Sequence, residues 1–178
     1  MIPQERLDNR GRFVGCEMQH EWPLYDVLND ILLPNSHIQT IVEIGTGHGA
    51  LTLVLGLFGV KIDAKVLTID IDPALSDDAV GFFDHLDITR LTGNEYAEEV
   101  MSAIEKWVGL DPTYVLCDGD NKDWELRYWW SRLPQGSLIS VHDWGDAVKP
   151  ARVPVELEPY RPEDWDRARL ATWRVPCS

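Results

Sequence analysis

Basic residues are scarce. The 178-residue chain has 16 Lys and Arg against 30 Asp and Glu, a net charge of −14. On that background a duplex-binding surface would meet each phosphate with repulsion, and no local basic patch offsets it. Long apolar runs are also missing. Nothing approaches the roughly 20 residues of a membrane span, and the opening MIPQERLDNRGRF lacks the apolar core of a signal peptide. Cys16, Cys117 and Cys177 are far apart, with no CxxC pair. Cys117 lies in the apolar run Tyr114-Val115-Leu116-Cys117, where a buried core thiol in a reducing compartment is the plain reading. These absences lead to the expectation of a cytoplasmic protein with neither nucleic acid nor membrane as partner.

Hydrophobic residues make up 44% of the chain and charged residues 26%, which is ordinary for a globular protein. A chain of this size buries about two thirds of its unfolded surface and needs no disulfide or structural metal to hold a core. One domain over 1–178 is expected, with an N-terminal arm at 1–21 and an irregular segment at 145–178.

Between those ends, short β-branched runs alternate with helical patterns. Helical spacing covers Trp22 to Leu33, Ala50 to Phe58 with a stop near Gly59, Pro73 to Leu86, Glu95 to Val108 and Asp123 to Leu133. Strands are expected at Gln39–Gly45, Lys65–Asp70, Ile88–Thr92, Thr113–Cys117 and Ser137–Val141. Their ends, at Gly45, Asp70, Thr92, Asp118 and His142, recur roughly every 25 residues. That spacing is the mark of βαβ units, so the chain reads as an α/β, Rossmann-like, doubly wound and mostly parallel sheet with helices on both faces. After Trp144 the pattern loosens. Pro150, Pro154, Pro159, Pro162 and Pro176 punctuate it, with a helix expected at Asp164–Ala171 and a strand at Ala171–Val175.

In such a sheet ligands bind beyond the carboxyl ends of the strands, where strand order reverses. Nearly every expected strand carries polar or glycine residues to that rim: Glu43 with Gly45-Thr46-Gly47-His48-Gly49, Asp70 and Asp72, Gly93-Asn94, Asp118-Gly119-Asp120-Asn121, and His142-Asp143. The glycine loop opens a helix whose N-terminal N–H groups favour an anionic group, and its glycines let a ligand approach the backbone. Its spacing is GxGxG, because Ala50 follows Gly49; the dinucleotide fingerprint is GxGxxG. Asp70, 25 residues past Gly45, is placed to bind both ribose hydroxyls of either kind of cofactor.

The acid two residues before GxGxG resembles the first motif of class I S-adenosylmethionine-dependent methyltransferases. The likeness extends to the cephalosporin hydroxylase-like and small-molecule O-methyltransferase families. It is carried by the stretch Gly15 to Gly59 with Ile41-Val42-Glu43-Ile44-Gly45, by Val66 to Pro73, by Leu116-Cys117-Asp118-Gly119-Asp120-Asn121, and by Ser137 to Trp144. Residues 15–144 are thus covered in order. The resemblance implies that Glu43, Gly45, Thr46, Gly47 and Gly49 surround the methionine end of S-adenosylmethionine. It also implies that Asp70 and Asp72 hold the ribose side, and that Asn94 and Asp118 complete the cofactor contacts. It further implies a divalent metal, Mg²⁺ or Mn²⁺, on Asp118 and Asp143, which would lower the pKa of an acceptor hydroxyl and aim it at the sulfonium methyl.

The chain departs from those families in two places. His142 stands where a second acid is usual, and Asn121 where a His is common. An imidazole among the ligands would favour Mn²⁺, Fe²⁺ or Zn²⁺. Alternatively His142 acts as a metal-free general base beside Asp118 and Asp143, or the two acids only cap the helix and loop after them. Gln19 and His20 could fold over the site. His48 reads as a shield, His37 and His85 as surface residues. Trp144, next to Asp143, is the best-placed ring for an acceptor, while Trp124, Trp129 and Trp130 crowd one helix.

The expected function is methyl transfer from S-adenosylmethionine to a small-molecule acceptor, at a hydroxyl oxygen, with homo-oligomer formation left open. The competing readings are a cofactor-binding subunit without transfer activity and a nicotinamide-dependent oxidoreductase. Only 34 residues follow Trp144, so the closing hairpin of the sheet is expected to be abbreviated or supplied by a partner chain.

Overall fold

The computed structural model describes residues 12–13, 16–17, 20, 23–109 and 111–176. Gln19, Cys177 and most of the N-terminal arm lie outside the described residues. Within the arm, β1 (Arg12–Phe13) and β2 (Cys16–Glu17) pair antiparallel. Then come α1 (Pro23–Leu32), β3 (Thr40–Ile44), α2 (Ala50–Ile62), β4 (Lys65–Asp70), α3 (Asp77–His85), β5 (Ile88–Thr92), α4 (Glu98–Val108) and β6 (Thr113–Cys117). The chain continues through α5 (Lys122–Trp129), β7 (Leu138–His142), β8 (Glu158–Tyr160), the short α6 (Trp165–Ala168) and β9 (Leu170–Arg174).

One sheet runs in the order β5-β4-β3-β6-β7-β9-β8. From β5 to β7 neighbours are parallel, and β9 pairs antiparallel with both β7 and β8. The chain moves outward from β3 to β5, then crosses back to β6, so strand order reverses between β3 and β6. Apolar residues on both faces of β3 and β6 are fully buried, as two-sided coverage by helices requires. One core layer packs Leu24, Leu28 and Ile31 of α1 and Leu51 and Leu55 of α2 on the sheet. The other packs Val100, Ile104 and Val108 of α4, spaced four apart as one helical stripe, with Leu126 and Trp129 of α5.

Several boundaries differ from the sequence expectation. Helix α2 runs past Gly59 because Gly59 is a packing contact: a β-carbon there would stand 2.6 Å from Val66 Cγ2. The stop comes at Asp63, which turns left-handed at φ +60° while Ala64 N–H donates to Gly59 O. Helix α3 starts four residues late because Ser76 Oγ caps it, accepting from Ala79 N–H at 3.2 Å. The segment 145–178, expected to be irregular, contains β8, α6 and β9, and the chain itself supplies the antiparallel end of the sheet. The run Asp164–Ala171, expected as one helix, divides at Arg169 (φ +50°) into α6 and the start of β9. Among the described residues no helix is long and apolar enough to cross a membrane.

Candidate active site

A cleft of about 410 Å³ opens at the carboxyl ends of β3, β4, β5, β6 and β7, centred on the β3/β6 reversal. That is the position expected for a ligand in this architecture and the size range of small-molecule sites. Its floor is the glycine loop after β3. Gly45 and Gly47 have φ of +98° and +51°, conformations that favour glycine, and both line the cleft with Thr46. Gly49 is different: it caps α2, and a β-carbon on it would strike Leu75 and Phe83 at 2.7 and 2.9 Å. It is not among the residues lining the cleft.

Asp70 sits on the cleft wall, where Oδ2 accepts from Gly47 N–H at 2.8 Å and Oδ1 from Asp72 N–H at 3.0 Å. The acid thus braces the glycine loop while facing the cavity. Asp72 contributes that backbone N–H and does not line the cleft; its exposed neighbour Ile71 does. Asn94 lines the wall as expected, its Oδ1 accepting from Tyr96 N–H in a turn that also brings Glu95 and Tyr96 to the cavity. Glu95, Tyr96 and Ile71 went unnoticed in the sequence because each is set by turn geometry, without a motif of its own. Tyr96 begins an aromatic ladder, edge-on to Trp124, which stacks on Tyr128.

Glu43, expected at the methionine end of the cofactor, is fully buried behind the loop. Thr52 and Thr68 both donate to its Oε2, and Thr46 in turn donates to Thr68 at 2.6 Å. Burial pushes its carboxyl up to about 8, with the Asp118 and Asp70 carboxylates adding to the rise and the two threonines opposing it. Its Oε1 has no hydrogen-bond partner among the described residues. Glu43 acts on the site through Thr68 and Thr46, as a brace beneath the loop.

The far end of the cleft is built from β6 and β7. His20 Nε2 donates to Asp118 Oδ2 at 2.8 Å, and His142 Nδ1 lies 3.3 Å from Asp118 Oδ1. The two imidazoles meet edge to face at 4.6 Å. Burial alone would raise the Asp118 carboxyl; hydrogen bonds from His142 and His20 overcome it and hold the group well below the usual carboxylate range. His20, Asp118 and His142 form a cluster compatible with a divalent ion, one ligand atom of each lying within 4.8 Å of the others.

Asp143 borders that cluster, its Oδ1 lying 3.6 Å from His142 Nδ1. Its left-handed backbone (φ +59°) turns the chain after β7, and its carboxylate lies 3.2 Å from Arg169 and 3.5 Å from Lys122. Lys122 Nζ is also 3.2 Å from Asp118 Oδ1, so an ammonium already bridges the two carboxylates expected to share a metal. That pair does not fit an Mg²⁺ ion between them. Lys122 is brought there by the first turn of α5, four residues after Asp118, and Arg169 by β9; neither belongs to a motif. Asn121, whose side chain accepts from Trp124 N–H at 3.2 Å, caps α5, so Asp118 is not the cap.

Trp144 does not reach the cleft. It packs against Trp165 and Trp173 at ring distances of 5.2 and 5.3 Å. His48 is half-buried outside the cleft wall, and His37 and His85 are exposed as expected.

No protein-family model matches the chain, and no curated protein matches it. Solved structures do match. A CmcI structure with SAH superposes with a TM-score of 0.68 at 17% identity, over 97% of this chain and 86% of that one. CmcI with Mg and SAM gives 0.59 at 19% identity, over 75% of this chain and 57% of that one. This chain thus spans little more than half the length of that CmcI chain. An RNA methyltransferase from Salinibacter ruber, in complex with S-adenosyl-L-homocysteine, gives 0.53 at 14% identity over 89% of this chain and 94% of that one. These likenesses establish the fold alone: this chain folds like CmcI and like the Salinibacter ruber methyltransferase.

Proposed function

We propose that this chain transfers the methyl group of S-adenosylmethionine to a hydroxyl oxygen of a small molecule. The observation that carries the reading is the charge of the cleft wall. Asp70, Glu95, Asp118, Asp120 and Asp143 line it around a glycine loop, and no Lys or Arg is among the described lining residues. A dinucleotide would bring its pyrophosphate into that field, whereas a sulfonium cofactor brings a positive centre. The net charge of −14 supports a small acceptor over a nucleic acid in the same way.

In this reading the backbone of Gly45 and Gly47 receives the methionine end of the cofactor. Asp70 accepts from the ribose hydroxyls, and Asn94 flanks the base. Methyl transfer then needs an acceptor oxygen in line with the sulfonium and a group to take its proton. In this reading His142 does that work, supported by its position on the cleft wall beside Asp118. With Asp118 ionised, the imidazole nitrogen beside it carries the hydrogen, which leaves the other ring nitrogen as the base. Asp143, neutralised by Lys122 and Arg169, fixes the loop that follows His142. A divalent ion held by His20, Asp118 and His142 would supply Lewis-acid activation of the acceptor hydroxyl.

Calorimetric titration with S-adenosylmethionine, S-adenosylhomocysteine and NAD tests the assignment. Binding of the first two at micromolar concentration, and none of NAD, is the expected result. Binding of NAD alone would establish the oxidoreductase alternative instead.

A further inference from the structure

We infer that His20, Asp118 and His142 form a binding site for a nitrogen-preferring first-row divalent ion such as Zn²⁺ or Co²⁺, in place of an Mg²⁺ site shared by Asp118 and Asp143. The inference deepens the methyl-transfer reading, because it concerns the acceptor end of the same cleft.

The donor set decides the ion. Mg²⁺ demands an octahedron of oxygens and parts reluctantly with its water. The carboxylates beside His142, Asp118 Oδ1 and Asp143, are bridged by Lys122 Nζ at 3.2 and 3.5 Å, and Arg169 holds Asp143 at 3.2 Å, while Asp118 Oδ2 faces His20. Two imidazoles and one carboxylate are instead a set that Zn²⁺, Co²⁺ and Fe²⁺ favour. Their ligand atoms lie within 4.8 Å of one another. Donors sharing one ion at about 2.1 Å stand at most about 4.2 Å apart, so modest side-chain rotation closes the set.

All three residues line the cleft, so an ion held by them keeps open positions toward whatever occupies it. Asp120, Glu95 and Asp70 on the same wall supply a negative field that draws a dication in. In the metal-free chain the His20 N–H points at Asp118 Oδ2. Uptake of an ion replaces that shared hydrogen and releases a proton. In the loaded site His142 is a ligand instead of a base.

The test is titration of the full chain with Zn²⁺, Co²⁺ and Mg²⁺, each alone, followed by calorimetry and, for Co²⁺, by its visible ligand-field bands. The expected result is one Zn²⁺ or Co²⁺ per chain, with proton release, and no Mg²⁺ binding at the same concentrations. His20→Ala and His142→Ala, checked for folding by circular dichroism, should each weaken Co²⁺ binding by at least about 10–100-fold, the scale seen even for outer-shell partners. Asp143→Asn should leave the bands in place. Bands that survive His20→Ala but vanish in Asp143→Asn overturn the assignment, as does the failure of every ion to bind. S-adenosylhomocysteine titrated into the metal-free chain reads the donor end separately. Its binding without any ion binding removes this inference alone; ion binding without it removes the methyl-transfer reading alone.

Discussion

Gly45 is pressed against the backbone of Asp118: a β-carbon on Gly45 would stand 2.5 Å from the Asp118 carbonyl oxygen. The loop that would receive the donor and the acid that organises the acceptor end therefore meet in van der Waals contact, at the reversal of strand order. Gly45→Ala should push them apart and force an alanine to φ +98°. A stability loss of about 1–3 kcal/mol is expected in chemical denaturation, with S-adenosylhomocysteine affinity falling at least tenfold in calorimetry. A variant with unchanged affinity would show that the contact does not shape the donor site.

Asp70 has two tasks, since it fastens Gly47 N–H and faces the cavity. Losing charge-assisted bonds of about 1.5–3 kcal/mol predicts an Asp70→Ala affinity for S-adenosylhomocysteine roughly 10–100-fold weaker. Far-ultraviolet circular dichroism should stay unchanged, because the side chain ends a strand at the surface of the cleft. Full affinity in this variant would remove the ribose role.

Glu43 gives a dependence on pH whose sign can be worked out. Its folded-state pKa of about 8 lies above the ordinary 4.5. The folded chain therefore holds a proton that the unfolded chain releases as pH rises. This contribution to stability is full below about 4.5 and is lost as pH climbs to about 8. Glu43→Gln cannot ionise in either state. It should be more stable than the wild type near pH 7 by on the order of 3 kcal/mol, the gap closing toward pH 4. Urea denaturation of both proteins across that range measures it, and a gap that widened on acidification would contradict the neutral Glu43.

In the metal-free chain His142→Ala should lower kcat by about 10²–10⁴-fold, the usual worth of a positioned acid or base. Its S-adenosylhomocysteine affinity should stay near the wild-type value, because His142 belongs to the acceptor end. An equal loss of both quantities would mean that the cleft does not divide into donor and acceptor ends.

Strands β3, β4, β6 and β7 were legible because each is a short, apolar, β-branched run bounded by polar residues and covered on both faces, while the edge strand β5 is largely exposed. Strand β8 was not: Glu158-Pro159-Tyr160 has no alternation and contains a proline, and only its pairing with β9 makes it a strand. Within the site, Asp70, Asn94, Asp118 and His142 were visible as polar residues at strand ends. The hydrogen bonds of Glu43 to Thr52 and Thr68 have no sign in the sequence, since a lone acid in a strand does not show which face it occupies. Lys122 depends on the first turn of α5, and His20 meets Asp118 across 98 residues. The spacing of four between Asp118 and Lys122 is a local helical one, but no local pattern encodes the His20 contact.

The sheet order also sets a timetable. Strand β9 lies between β7 and β8, so residues 158–160 are made before the strand they pair with. During synthesis, which runs from the N-terminus, β8 has no neighbour in the sheet until Leu170–Arg174 slides in beside β7. Arg169, which reaches Asp143, arrives with that same insertion. Strand β9 closes the described sheet and brings Arg169 to the turn behind His142 together, so a nascent chain that already holds every described residue of the cleft wall still lacks that ion pair.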